Sequence, residues 1–139
     1  MTRTLVAASF LVVLAACSAE SPTAPLPGAL PGVYSLRTVN GSVLPYKIPQ
    51  GFADLTYTSD VLTVEESGSW TELVGYTYDD LGTIRSTLEQ DLGRWTQVAD
   101  TLRFTSAITH QQIYKGRYGR DTLSLTYANL SLTFVRKGR

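Results

Sequence analysis

Ser69-Trp70-Thr71-Glu72-Leu73-Val74-Gly75-Tyr76-Thr77-Tyr78 decides how this chain of 139 residues folds. Trp70, Glu72, Val74, Tyr76 and Tyr78 hold alternate positions, so in an extended segment they share one face, with Thr71 and Thr77 on the other. The same period of two recurs on both sides. It predicts strands over 33–39, 53–58, 60–66, 69–78, 82–90, 93–99, 101–108, 111–118, 121–127 and 130–136. Tight connections are predicted at Asn40-Gly41, Ser67-Gly68-Ser69, Asp79-Asp80-Leu81-Gly82 and Asp91-Leu92-Gly93, whose residues tolerate positive φ. Pro45 and Pro49 instead predict a longer irregular loop over 45–51, of the kind that serves as a lid.

One unit returns three times. Asp60-Val61-Leu62, Asp100-Thr101-Leu102 and Asp121-Thr122-Leu123 each place an Asp ahead of an apolar strand, where its carboxylate caps turn amides. The inward sets include Tyr34 with Leu36, Leu55 with Tyr57, Leu62 with Val64, and Ile84 with Leu88. Further along come Trp95, then Leu102, Phe104 and Ile108, then Tyr114 and Tyr118, and then Leu123, Leu125 and Tyr127. Leu130, Leu132, Phe134 and Arg136 close the series. A meander with one apolar side can curl until its edges meet. The predicted fold is all-β: an antiparallel up-and-down β-barrel of 8–10 strands, wide enough to be filled by side chains or to hold one small ligand.

Ahead of the strands, Arg3 precedes an apolar run from Leu5 to Leu14 that is too short to span a bilayer, which takes about 20 residues. With small residues behind it, this reads as a secretory signal peptide over 1–16. Leu14-Ala15-Ala16-Cys17 resembles the box of bacterial lipoproteins. That resemblance implies cleavage before Cys17, diacylglycerol on its sulfur and attachment to a membrane. With Ser18 and not Asp after Cys17, the same resemblance implies the outer membrane with the domain facing the periplasm; a Gram-positive host would put it outside the cell membrane. Residues 17–31 form a tether in which Pro22, Pro25, Pro27 and Pro31 deny a helix, and 32–139 form the barrel domain. Cys17 is the chain's single cysteine, so no internal disulfide is available.

The whole chain carries 12 basic and 12 acidic residues, and loses only Arg3 with its first sixteen. No basic stripe supports nucleic-acid binding. His110 is the single histidine, which leaves no zinc set and no cofactor motif. No nucleophile–base arrangement stands out either, so a non-catalytic protein is expected.

Gly32-Val33-Tyr34 resembles the Gly-x-Trp element on the first strand of the lipocalin-like (calycin) proteins, with Tyr for Trp. Arg136 matches the basic residue that packs across that aromatic to seal one barrel end. The stretch from Gly32 to Pro45, with Val39-Asn40-Gly41 and Leu44-Pro45, and the terminal Phe134-Val135-Arg136-Lys137 are similar to small bacterial lipocalin-like lipoproteins. The resemblance implies a lipocalin-like barrel, and by analogy of fold it supports a ligand binder or an interaction module alike. It lacks a counterpart of that family's Thr-Asp-Tyr motif.

Glu72 is the sharpest polar signal, because alternation turns its carboxylate inward, where burial is costly unless the charge is paired or protonated. One reading has Glu72, Gln97, Tyr76 and Tyr114 orienting a small apolar or amphipathic ligand between Trp70 and Trp95. The other puts Glu72 at the rim, reaching water, with the aromatics as core. A solid interior would suit an interaction module instead, such as an envelope assembly factor or hydrolase inhibitor.

Overall fold

The computed structural model describes residues 30–50 and 53–138. Ten strands run in order: β1 (Gly32–Val39), β2 (Ser42–Val43), β3 (Tyr46–Gln50), β4 (Ala53–Val64), β5 (Ser69–Asp80), β6 (Thr83–Val98), β7 (Thr101–Ser106), β8 (Gln112–Gly119), β9 (Thr122–Tyr127) and β10 (Leu130–Arg136). Every neighbouring pair is antiparallel, and no helix occurs among the described residues. Sequential pairing from β4 to β10, β10 with β1, and β1 back onto β4 close an eight-stranded up-and-down barrel. The short β2 and β3 add to β1 and β4.

Strand direction sorts the turns to two ends. Turns 65–68, 99–100 and 120–121 lie at the end where the chain enters at Leu30 and leaves at Arg136. Turns 40–41, 81–82, 107–110 and 128–129 lie at the other.

The entry end is closed. Arg136 crosses the Tyr34 ring at 5.1 Å, donates to the Pro31 carbonyl at 2.7 Å and to the hydroxyls of Tyr34 (2.8 Å) and Tyr118 (3.1 Å), and pairs with Asp121 at 3.0 Å. Tyr34 in turn donates to the Leu30 carbonyl. Leu30 is buried in the core, so the packed domain begins two residues earlier than its predicted start at Gly32.

Above this seal the interior is filled by Leu62, Trp70, Leu102, Phe104, Leu123, Leu125, Leu132 and Phe134, each at most 1 % exposed. Each such aliphatic or Phe side chain contributes roughly 1.5–3 kcal/mol by leaving water. Trp70 meets Phe104 edge-to-face at 6.0 Å and donates its indole N–H to the Arg94 carbonyl at 3.1 Å. That fit needs Gly93: a Cβ there would collide with the Thr105 carbonyl and press on the Trp70 indole nitrogen.

Several sequence expectations change. Residues 53–58 and 60–66 are one strand, β4, carrying a bulge between Tyr57 and Ser59, and Asp60 lies mid-strand and buried instead of at a turn. No turn interrupts 91–93; β6 runs through it. A single phase therefore holds from Thr83 to Val98, and since Gly93 and Trp95 face in, Ile84 and Leu88 face out, at 74 % and 67 % exposed. Ile108 leaves the strand for the β7–β8 turn and is exposed. The expected loop over 45–51 is largely strand β3, which pairs only with β4; such an edge position tolerates Pro49. Cys17 and the signal peptide lie outside the described residues.

Candidate functional site

Glu72 and Asp60 are buried carboxyls on neighbouring strands, at 4 % and 3 % exposed. Glu72 stands opposite Leu62 and Asp60 opposite Val74, which makes them diagonal neighbours on the inner face. The bulge makes this possible: with an extra residue between Tyr57 and Ser59, Tyr57 and Asp60 both point inward although they are three positions apart. Tyr114 donates its hydroxyl to Glu72 Oε1 at 2.7 Å.

Glu72 and Tyr114 line a cavity of about 250 Å3 at the end away from Arg136, and Asp60 lies beside Glu72 outside that lining. Its wall is built by Tyr57, Glu72, Tyr76, Tyr114 and Tyr127, with Glu89 and Asp91 from β6 and Ile108 and Thr109 from the β7–β8 turn. The mouth exists because β6 outruns its neighbour. β7 pairs with it only from Gly93 to Val98, and the β7–β8 turn holds Leu92 through the Ala107 amide, so Thr83–Gln90 and the facing part of β5 rise past the turn as a flap. Ser106 fixes the turn on the other side of the mouth. Its hydroxyl donates to Asp91 Oδ1 at 2.8 Å and accepts from the amides of Ile108 (3.0 Å) and Thr109 (3.1 Å).

Burial raises both carboxyls. Asp60 is pushed up to about 9 by desolvation, then by the charge of Glu72 and their shared hydrogen bond. Glu72 is pushed up to about 7 by desolvation, against hydrogen bonds from Tyr114 and Asp60 that pull it down; Asp91 adds repulsion. Two adjoining acids in a low-dielectric site hold a proton between them. Asp60 Oδ1 has no hydrogen-bond partner. Burial likewise raises Tyr57, Tyr76 and Tyr114, which stay neutral donors.

The structure thus brings together three of the residues singled out in the sequence, Glu72, Tyr76 and Tyr114. Trp70 packs below the cavity in the filled core. Trp95 is buried at the closed end, where its indole donates to the Glu65 carbonyl at 3.0 Å. Gln97 is a correction. It shares Trp95's face but lies at the edge of the closed end, exposed, donating to the Ala99 carbonyl at 2.8 Å, away from Glu72. Tyr34 and Arg136 form the seal already described. Sequence reading missed Asp60, Glu89 and Asp91; the signal for Asp60 was its place two residues before inward Leu62.

A larger depression, about 650 Å3, lies on the outer wall of β8 and β9 beside Lys115 and Arg117. It is lined by solvent-facing strand residues and contains no buried ionisable group, so the interior cavity is the candidate. Among the described residues no set of His, Cys, Asp and Glu side chains is arranged to hold a metal ion. No family model matches this chain, and no curated protein matches it either.

Proposed function

We propose that this protein is a lipid-anchored, lipocalin-like barrel of the cell envelope that holds a small amphipathic ligand without transforming it. The observation that carries this reading is the cavity over Glu72, Tyr76 and Tyr114, which is open to solvent through one barrel end while the other is sealed by Arg136. Small-molecule sites of this kind combine apolar and aromatic walls with a few convergent polar groups. At about 250 Å3 the space falls just below the usual lower bound of roughly 300 Å3, which suits a small ligand or the head of a longer one.

Orientation agrees with anchoring. The chain enters the barrel at the sealed end, so a lipid on Cys17 would hold that end toward the bilayer. The mouth would then face away from it, toward the periplasm for an outer-membrane lipoprotein. Two acyl chains, at about 0.8 kcal/mol per buried methylene, would make attachment effectively permanent.

Native mass spectrometry of the full chain purified from its own host tests the reading. A non-covalently carried small molecule, lost when Glu72 is replaced by Gln, is expected; a clean unliganded mass would sink it.

A second reading, a protein-interaction module, draws on the flap. The β6 edge from Thr83 to Gln90 that faces away from β5 has no partner strand among the described residues, and Ile84 and Leu88 are exposed beside it. Such an edge can accept a strand from another chain. In that case replacing Ile84 and Leu88 by Lys abolishes partner retention and leaves the interior cavity unaffected.

A further inference from the structure

The geometry points to an organic amine, bound as its cation, as the ligand class of the cavity over Glu72. This rests on the cavity being a ligand site. Three features carry the step from ligand to amine.

The first is the sign of the wall. Glu72, Glu89 and Asp91 line the cavity, and no Lys, Arg or His does. A ligand carboxylate or phosphate would meet only like charge there, whereas a cation gains an opposite charge in Glu72, which is only 4 % exposed and so little screened. The second is Asp60. It is buried diagonally beside Glu72, shares a hydrogen bond with it, and keeps Oδ1 as an acceptor left over after the internal hydrogen bonds are counted. Buried acceptors in native proteins are almost always satisfied, so the Asp60–Glu72 pair, one member of which lines the cavity, is short of a donor. An ammonium supplies up to three donors and a charge to Glu72, and through it to the coupled pair.

The third is aromatic. Tyr57 and Tyr76 lie 4.7 Å apart, and Tyr114 and Tyr127 5.6 Å apart, so two ring pairs border the carboxyls. Rings around a cation attract it through their quadrupoles, and they accept the apolar body attached to it. An arylalkylamine or short alkylamine meets all three demands. Its cationic head goes to Glu72, the member of the pair that lines the cavity, and its body lies against the tyrosines.

The test is titration calorimetry of the full chain with three probes of one shape: 2-phenylethylamine, 2-phenylethanol and phenylacetate. The amine is expected to bind at least tenfold more tightly than the alcohol, and the acid not at all. In Glu72→Gln the amine should lose at least tenfold while the alcohol is unchanged, and Asp60→Asn should weaken the amine in the same direction. Thermal unfolding of both variants, at or above the parent midpoint, excludes misfolding as the cause. Equal affinity for amine and alcohol in the parent overturns the amine assignment and leaves the cavity as a ligand site. Tighter binding of the acid overturns it too. If none of the three binds at millimolar concentration, both the assignment and the ligand-site reading fall.

Discussion

Asp60 and Glu72 sit diagonally across the β4–β5 ladder with their carboxyls turned into the barrel, an arrangement that costs stability as pH rises. In the unfolded chain both titrate in the ordinary carboxylic range near pH 4. In the folded chain both hold protons to higher pH, Glu72 to about 7 and Asp60 to about 9. Between those limits the native state binds more protons than the unfolded state, so unfolding free energy falls as pH increases. Stability from the pair is complete below pH 4 and is progressively lost as pH climbs toward 9.

The groups facing the pair are Tyr57 on β4, Tyr76 on β5, Glu89 and Asp91 on β6, and Tyr114 on β8. The tyrosines are held neutral over this range. The double variant Asp60→Asn/Glu72→Gln is therefore expected to be more stable than the parent at pH 9, on the order of a few kcal/mol. Its advantage should shrink toward pH 4. Urea unfolding from pH 4 to 9 measures this; a difference that stays constant with pH would contradict the buried acid pair.

The closed ring was legible because β5 and the last four strands keep one phase, and Trp70, Phe104, Leu123 and Phe134 all fall where alternation puts them. Legibility failed where the phase was disturbed. Asp91-Leu92-Gly93 reads as a turn by composition, but Gly93 is there to let the Thr105 backbone approach Trp70. The false break reset the parity, which sent Ile84 and Leu88 inward and concealed Glu89 and Asp91. At Asp60 the opposite occurred. A bulge, which has no reliable sequence mark, joined two apparent strands and placed an acid in the core. Gln97 shows a further limit, since parity fixes a face but not a height along the barrel.

Arg136 is expected to matter to stability far more than an ordinary surface arginine. Its guanidinium binds the Pro31 carbonyl, two tyrosine hydroxyls and Asp121, and covers the Tyr34 ring. Replacement by Met keeps much of the apolar stem but leaves those acceptors without their donor, at a cost of about 2–3 kcal/mol. Arg136→Lys should recover only part, because an ammonium cannot reproduce the planar fork. Denaturant midpoints at unchanged m-value report the loss. A Lys variant equal to the parent would show that charge alone, without the guanidinium geometry, seals the barrel.

Ser106 offers a way to loosen the mouth without touching its lining. One hydroxyl joins β6 to the β7–β8 turn by donating to Asp91 while accepting two turn amides, and it is only 1 % exposed. Ser106→Ala removes all three bonds at once and leaves the amides of Ile108 and Thr109 without an acceptor. The backbone bonds Ser106 N–H to Gln111 and His110 N–H to Ser106 persist, so the turn should loosen rather than unravel. A global cost of about 1–2 kcal/mol is expected, with a larger local effect. Hydrogen exchange at Ile108 and Thr109 should accelerate more than tenfold while amides of Phe104 and Leu125, deep in the barrel, slow or quicken only with the global stability. Uniform acceleration across all of them would mean that Ser106 supports the whole barrel and not the mouth alone.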